Sequence, residues 1–375
     1  MASAPLPTEP PSAGGPFAGL RPSPQRMVDM AERVCSVMLA ILIARLLGGA
    51  NISWAAFAGY MVIAGTISNT LLRGMLRLVG TVAGGLLALV LAPRIGTGVG
   101  AIAAALFVVA SISIYAATTS RRAYAWLFFG LTFAMVVLDY RFNRQLSLDA
   151  FVETRMLETI AGILASISVS LFWTYTLRDK WPPIAPAPPP PGGWHPDALR
   201  HAIQCGIALA LLTLAVGRFG LPGPAQAAVT IMASMLIPVQ AMARSGLRPV
   251  STRLVQRVLG CVLGGVFAGS CLLLMRGSMP LLLAATAVAV ALGRMLETGP
   301  AKWRYVGTQF VLAALVTLVP DDYAHAASTP AWERLAGIFI GTAFLVPVLL
   351  AWHLVAGGRP PQALPVEQGM IDPLE

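Results

Sequence analysis

Apolar runs of about 17–25 residues, each long enough to cross a bilayer as a helix, follow one another along nearly the whole chain. Inside hydrocarbon a backbone must satisfy its own hydrogen bonds, which a helix does within the segment. The chain is 57% hydrophobic and only 11% charged, where soluble domains carry about 25% charge. No stretch between the runs is long and mixed enough for an ordered soluble domain, so the chain reads as an all-α polytopic membrane protein.

A thirteen-residue pattern occurs twice, 180 residues apart. Arg73-Gly-Met-Leu-Arg77-Leu-Val-Gly80-Thr-Val-Ala-Gly84-Gly85 is matched by Arg253-Leu-Val-Gln-Arg257-Val-Leu-Gly260-Cys-Val-Leu-Gly264-Gly265. Both read R-x3-R-x2-G-x3-G-G, and each stands at the mouth of an apolar run. A looser match, at an offset of 175, aligns Glu158-x3-Gly162 with Glu333-x3-Gly337. Such self-similarity predicts two copies of one bundle. About 12 transmembrane helices are expected, near 28–47, 53–69, 77–93, 97–117, 122–139 and 153–176, then 197–217, 224–242, 255–275, 279–296, 303–319 and 331–355. The corresponding divisions are a cytoplasmic tail at 1–26, a first six-helix repeat at 27–178, a Pro-rich linker at 179–196, a second repeat at 197–356 and a tail at 357–375. The linker, rich in consecutive prolines, is a semi-rigid polar spacer.

Charge sets the expected orientation. With the amino terminus in the cytoplasm, 18 Lys and Arg fall on cytoplasmic segments and eight on the other side, as the positive-inside rule requires. Both termini then lie in the cytoplasm, and two copies of six spans point the same way, as tandem parallel repeats. The net charge of +10 is accounted for by topology, with some Arg left over for an anionic solute, and does not call for nucleic acid. Residues 1–26 lack the apolar core of a signal peptide. Cys35, Cys205, Cys261 and Cys271 lie within apolar segments without a CxxC pair, so they are expected to be packing residues, with neither a disulfide framework nor a zinc site.

Several residues are candidates for function, each with a simpler duty beside it. Arg77 and Arg257 stand one turn before the glycines. Their guanidinium groups offer planar, bidentate binding to a carboxylate and stay charged; alternatively they snorkel as cytoplasmic anchors. Arg73 and Arg253 lie further out, as anchors or as an entry funnel. Glu158 and Glu333, each with an Arg nearby (Arg155, Arg334), are proton-coupling candidates or members of interfacial salt bridges. Gly80, Gly84, Gly260 and Gly264 form small-xxx-small faces for helix packing, or line a narrow path. Trp54, Tyr60, Trp126, Trp303, Tyr305 and Trp332 read as an interfacial aromatic belt. Asp321 and Asp322 belong to a loop that is either solvated or shapes an exit vestibule. There is no HExxH, GxSxG or GxxxxGK[ST] motif, so neither an enzyme nor an ATP-driven pump is expected, and no cofactor or metal.

The R-x3-R-x2-G-T-x2-G-G phrase at 73–85, following a Trp-containing second span, resembles the membrane module of the fusaric acid resistance (FUSC-type) family, which includes the aromatic acid exporters. The copy at 253–265 fits the same module with Cys261 in place of the threonine, and the resemblance covers about 28–176 and 197–355. The plant malate channels activated by aluminium resemble one six-helix half and assemble as dimers, which implies a fused pseudo-dimer here with one path between its halves. The resemblance implies an inner-membrane exporter of organic anions, aromatic carboxylic acids above all, driven by an ion gradient and often working with a periplasmic adaptor protein. Arg73, Arg77, Arg253 and Arg257 are the positions that match its motif. A passive anion channel and a non-transporting scaffold of an envelope complex are the alternatives. Many relatives carry large cytoplasmic domains between and after the bundles, where this chain has a spacer and a tail of about 20 residues each.

Overall fold

A computed structural model describes residues 23–96, 98–142, 147–183, 193–239, 242, 247–275 and 277–355. Residues 1–22 and 356–375, half of the proline-rich linker (184–192), and Arg144, Arg244 and Arg276 lie outside the described residues. Twelve α-helices and no strand occur among them: α1 (Pro24–Leu46), α2 (Ile52–Val62), α3 (Ile67–Leu91), α4 (Val99–Thr119), α5 (Ala123–Phe142), α6 (Leu148–Thr176), α7 (Pro196–Phe219), α8 (Pro224–Ser234), α9 (Leu247–Met275), α10 (Met279–Glu297), α11 (Ala301–Leu318) and α12 (Thr329–Val355).

Eight of these helices are long and apolar enough to cross a membrane: α3 to α7, α9, α10 and α12. Twelve helices occur where twelve spans were expected, and eight of them have the length and apolarity of a span. At 11 residues each, α2 and α8 reach about 16 Å, roughly half the hydrocarbon thickness. The expected second span, 53–69, breaks at Ile63-Ala64-Gly65-Thr66. Gly65 takes φ +76°, open to glycine without penalty, and the Thr66 side chain then caps α3 by accepting from Asn69 N. As a result α3 begins at Ile67 rather than 77; in the second half α8 ends at Ser234 rather than 242, and α9 begins at Leu247 rather than 255. Arg73, Arg77, Arg253 and Arg257 thus lie within long helices, not at their mouths. The remaining two, α1 and α11, have 23 and 18 residues but carry more polar sequence.

Side-chain size is distributed inside out along α3 and α9. The buried face of α3 carries Gly74, Arg77, Gly80, Thr81, Gly84 and Ala88, while Leu72, Met75, Val79, Leu86 and Val90 are exposed. On α9 the buried face includes Arg253, Arg257, Gly260, Cys261 and Gly264, and Val255, Val266 and Leu273 are exposed. Large apolar residues outward and small or polar ones inward suit a helix solvated by lipid and packed through close backbone approach.

The same packing relations hold in both halves of the chain. The faces of α3 and α9 lie on α5 and α11, α2 and α8 on α6 and α12, and α1 and α7 on α2 and α8. Contacts also cross between the halves, chiefly α4 on α7, α5 on α8 and α1 on α10, with α2 on α11 besides. A Cβ at Gly80 or Gly84 would run into the carbonyls of Ala125 or Phe129, and one at Gly260 or Gly264 into those of Val306 or Phe310. Packing also corrects one alignment. A Cβ at Gly162 would meet the Ala55 carbonyl and Ala58 of α2; the residue meeting α8 in the same manner, against the Ala227 carbonyl and Thr230, is Gly341 and not Gly337. Gly85 meets Val152, and Gly265 meets Ala331. Both pairs give an offset of 179, one helical turn from the sequence match. In this register Arg155 corresponds to Arg334, and Glu158 to Gly337.

Gly264→Leu should lower the thermal midpoint of the detergent-solubilised protein by several degrees, the effect of about 1–3 kcal/mol of overpacking. Gly269→Ala on the same helix, where a Cβ meets nothing within 4 Å, should leave the midpoint unchanged. Equal midpoints for the two variants would contradict the close α9–α11 approach.

Candidate functional site

The breaks after α2 and α8 leave carbonyls without helical partners, and side chains from neighbouring helices reach them. Ser36 of α1 donates to the Gly59 carbonyl at 2.8 Å, and Ser166 of α6 to the same oxygen at 3.2 Å. Arg33 donates to the Tyr60 carbonyl at 2.6 Å, and Tyr124 of α5 to that of Met61 at 3.5 Å. Beyond α8, His201 Nε2 donates to the Met235 carbonyl at 2.8 Å and Arg200 to that of Met242 at 2.9 Å. Irregular backbone at membrane depth is tolerated only where protein or a cavity satisfies it in this way.

Around the α2 break the structure gathers a buried charged network that the sequence had dispersed into local pairs. Arg178, at the end of α6, contacts Asp29 at 2.7 Å and also Glu32. Arg294 of α10 pairs with Glu297 at 3.2 Å and reaches Asp29 at 3.9 Å. Tyr60 donates its hydroxyl to Glu297. Tyr60, expected in the aromatic belt, is fully buried instead. Three acids and three arginines, counting Arg33, balance one another here and tie α1 and α6 to α10.

The matched arginines turn inward. Arg77 and Arg257 are 4% and 2% exposed. Arg77 donates to the Tyr124 hydroxyl at 3.4 Å and lies 4.0 Å from the Phe128 ring centroid. Arg257 donates to the Tyr305 hydroxyl at 3.2 Å. Arg253 is buried and stacks on Tyr305 at 4.3 Å, whereas Arg73 is half-buried. The aromatic residues that hold these cations, Phe128 on α5 and Tyr305 on α11, are placed by the packing of α3 on α5 and of α9 on α11.

Glu158 lies ten residues into α6, about 15 Å from its start, and is 2% exposed. It faces Arg155 at 3.3 Å, and the charges of Asp321 and Arg77 also reach it. Neither of its oxygens receives a hydrogen bond. Arg155 is stacked against the rings of Trp54 and Phe151, at 4.2 and 5.1 Å. Glu333, by contrast, is exposed, and its neighbour Arg334 is buried. Arg334 donates to the Gln309 side chain at 3.2 Å and lies 5.9 Å from the Phe57 ring of the first half. The sequence signal for this placement was the burial register of α12, visible only once the helix start was known.

At the opposite end from the charged network lies a cavity of about 500 Å³. It is formed by the starts of α2, α6, α8 and α12 and the ends of α5 and α11. Trp54, Asp139, Arg155, Gln226, Asp321 and Glu333 are among the residues lining it. Asp321 also accepts from Ile52 N at 2.8 Å, capping α2 where Asn51, at φ 59°, provides no side-chain cap. This carboxylate at a helix N-terminus compensates the macrodipole.

Arg178→Gln should strip Asp29 and Glu32 of their shared cation and cost about 3–5 kcal/mol, as loss of one partner from a buried pair does. The check is the thermal midpoint and yield of monodisperse protein. Wild-type behaviour would show that the network does not hold α1 in place.

The model of the family described as fusaric acid resistance protein-like matches residues 39–169 and 236–348, most of the chain. No curated protein and no solved structure matches it.

Proposed function

Because the chain belongs to the fusaric acid resistance protein-like family and is built of apolar membrane helices, we propose that it exports organic anions, aromatic carboxylic acids in particular, across the inner membrane. The observation that carries this reading is the pair Arg77 and Arg257. Each is a fully charged group held at depth by a tyrosine hydroxyl, at matching positions on α3 and α9. Ionisable groups in such places mark substrate or ion routes, and a guanidinium suits a carboxylate. We read the packing relations shared by the two halves as a tandem parallel pair, with the path between them and the cavity as its outer vestibule. Both termini then lie in the cytoplasm.

Coupling to a proton gradient falls to Glu158 in this reading. Its carboxylate is buried beside Arg155 and bare of hydrogen bonds, whereas Glu333 is exposed on the cavity wall and serves access better than coupling. A periplasmic adaptor, implied by the resemblance, would dock at the cavity end.

Labelled 4-hydroxybenzoate should accumulate in inverted vesicles in proportion to the imposed proton gradient. The double variant Arg77→Gln/Arg257→Gln, at equal protein level, should reduce the rate about ten-fold or more, the loss of at least one charge-assisted hydrogen bond. Uptake indifferent to the gradient would replace the exporter with a passive channel. No uptake across a panel of organic acids would favour a scaffold.

A further inference from the structure

The two halves differ in charge at one matched place. In the first half the buried Arg77 and the half-buried Arg155 share a carboxylate of the chain itself, Glu158, which is 3.3 Å from Arg155 and within electrostatic reach of Arg77. In the packing register established by Gly162 and Gly341, the residue at the place of Glu158 in the second half is Gly337. The corresponding arginines, Arg257 and Arg334, are 2% and 3% exposed. Tyr305 and Gln309, one turn apart on α11, hold the two guanidinium groups side by side, and no carboxylate among the described residues pairs with either. Their polar partners are neutral: the Tyr305 hydroxyl, the Gln309 amide oxygen and, beside Arg334, the Cys261 thiol. Two like charges out of water without a counter-charge are costly. An anion between them removes that cost.

We propose that Arg257 and Arg334 form the seat for the substrate's carboxylate, and that Glu158 is a tethered carboxylate filling the counterpart seat in the first half. The proposal rests on the organic-anion reading above and adds to it Arg334 as a specificity-determining residue and a count of one anion per chain. The rings of Tyr305 and Phe57 border the seat, the latter 5.9 Å from the Arg334 guanidinium, and offer apolar faces to an aromatic body. Phe57 stacks edge-on with Trp54 at 5.1 Å, and Trp54 lines the cavity, so these two rings separate the seat from the vestibule.

The test is equilibrium binding of labelled 4-hydroxybenzoate to the purified full chain in nanodiscs, with thermal midpoints recorded for every variant. Wild type should bind one molecule per chain. Arg334→Gln should weaken binding about ten-fold or more, and Arg334→Lys, which keeps the charge but not the fork, should restore part of it. Glu158→Gln should raise the stoichiometry from one towards two by removing the tethered negative charge from the counterpart seat. If Arg334→Gln folds and binds as wild type while Arg257→Gln does not, the seat is misassigned and the organic-anion reading survives. If Arg155→Gln loses binding and Arg334→Gln retains it, the site lies in the first half and the proposal is overturned. If the wild-type chain binds no member of a carboxylate panel, both readings fall. Should Arg334→Gln not fold, the Lys variant and the stoichiometry of Glu158→Gln decide the matter.

Discussion

A backbone that unwinds inside hydrocarbon must find every lost hydrogen bond in neighbouring protein. Much of this molecule follows from two such breaks, after Val62 and Ser234. At the first, the carbonyls of Gly59, Tyr60 and Met61 draw Ser36, Ser166, Arg33 and Tyr124 toward one point. Those four residues come from α1, α5 and α6, so the break organises three other helices. Tyr124, placed by its bond to Met61, in turn receives the Arg77 guanidinium. Shortening α2 and α8 also leaves room beyond their starts, and the cavity occupies it.

The two ends of the bundle handle charge differently. Around the α2 break, acids and arginines are matched one to one and buried together, an arrangement that holds helices in register without leaving charge over. Along α9 and α12 the cations sit on aromatic faces and neutral oxygens instead. Cation–π contacts of this kind stabilise a desolvated guanidinium by about 2 kcal/mol, less than a full counter-ion supplies. The first environment is saturated and the second is not, and an anionic solute can complete only the second.

How much of this was legible in the sequence depends on which physical signal carried it. Apolar runs gave the helices and the membrane setting, because length and hydropathy are local properties. The R-x3-R-x2-G-x3-G-G phrase located Arg77 and Arg257 and the glycines that approach α5 and α11, because spacing on one helix is also local. The break at Ile63–Thr66 was hidden: Ala64, Gly65 and Thr66 are small, and an apolar run does not record a turn in φ at a single glycine. That omission displaced the start of α3, and the early end of α8 at Ser234 hid the start of α9 in the same way. The register of α12 against α6 was misjudged by one turn because glycines stand at both 337 and 341, and only contact with α2 and α8 separates them. Long-range pairing of Asp29 with Arg178 and Arg294 leaves no trace in a chain read segment by segment, where each charge finds a nearer partner.

Helices of the first half make their cross-half contacts with sequence far downstream. α1 lies against α10, α2 against α11, α4 against α7 and α5 against α8. During synthesis Asp29 and Glu32 therefore enter the membrane with Arg33 alone beside them, and wait for Arg178 and then Arg294 to be made. The first six helices leave the ribosome as an unfinished surface, with the α7-binding face of α4 open to lipid or to a chaperone. Halves severed at the proline-rich linker would each lack the face that the other supplies, so assembly of this bundle is a property of the whole chain and is completed only after the tenth helix has been inserted.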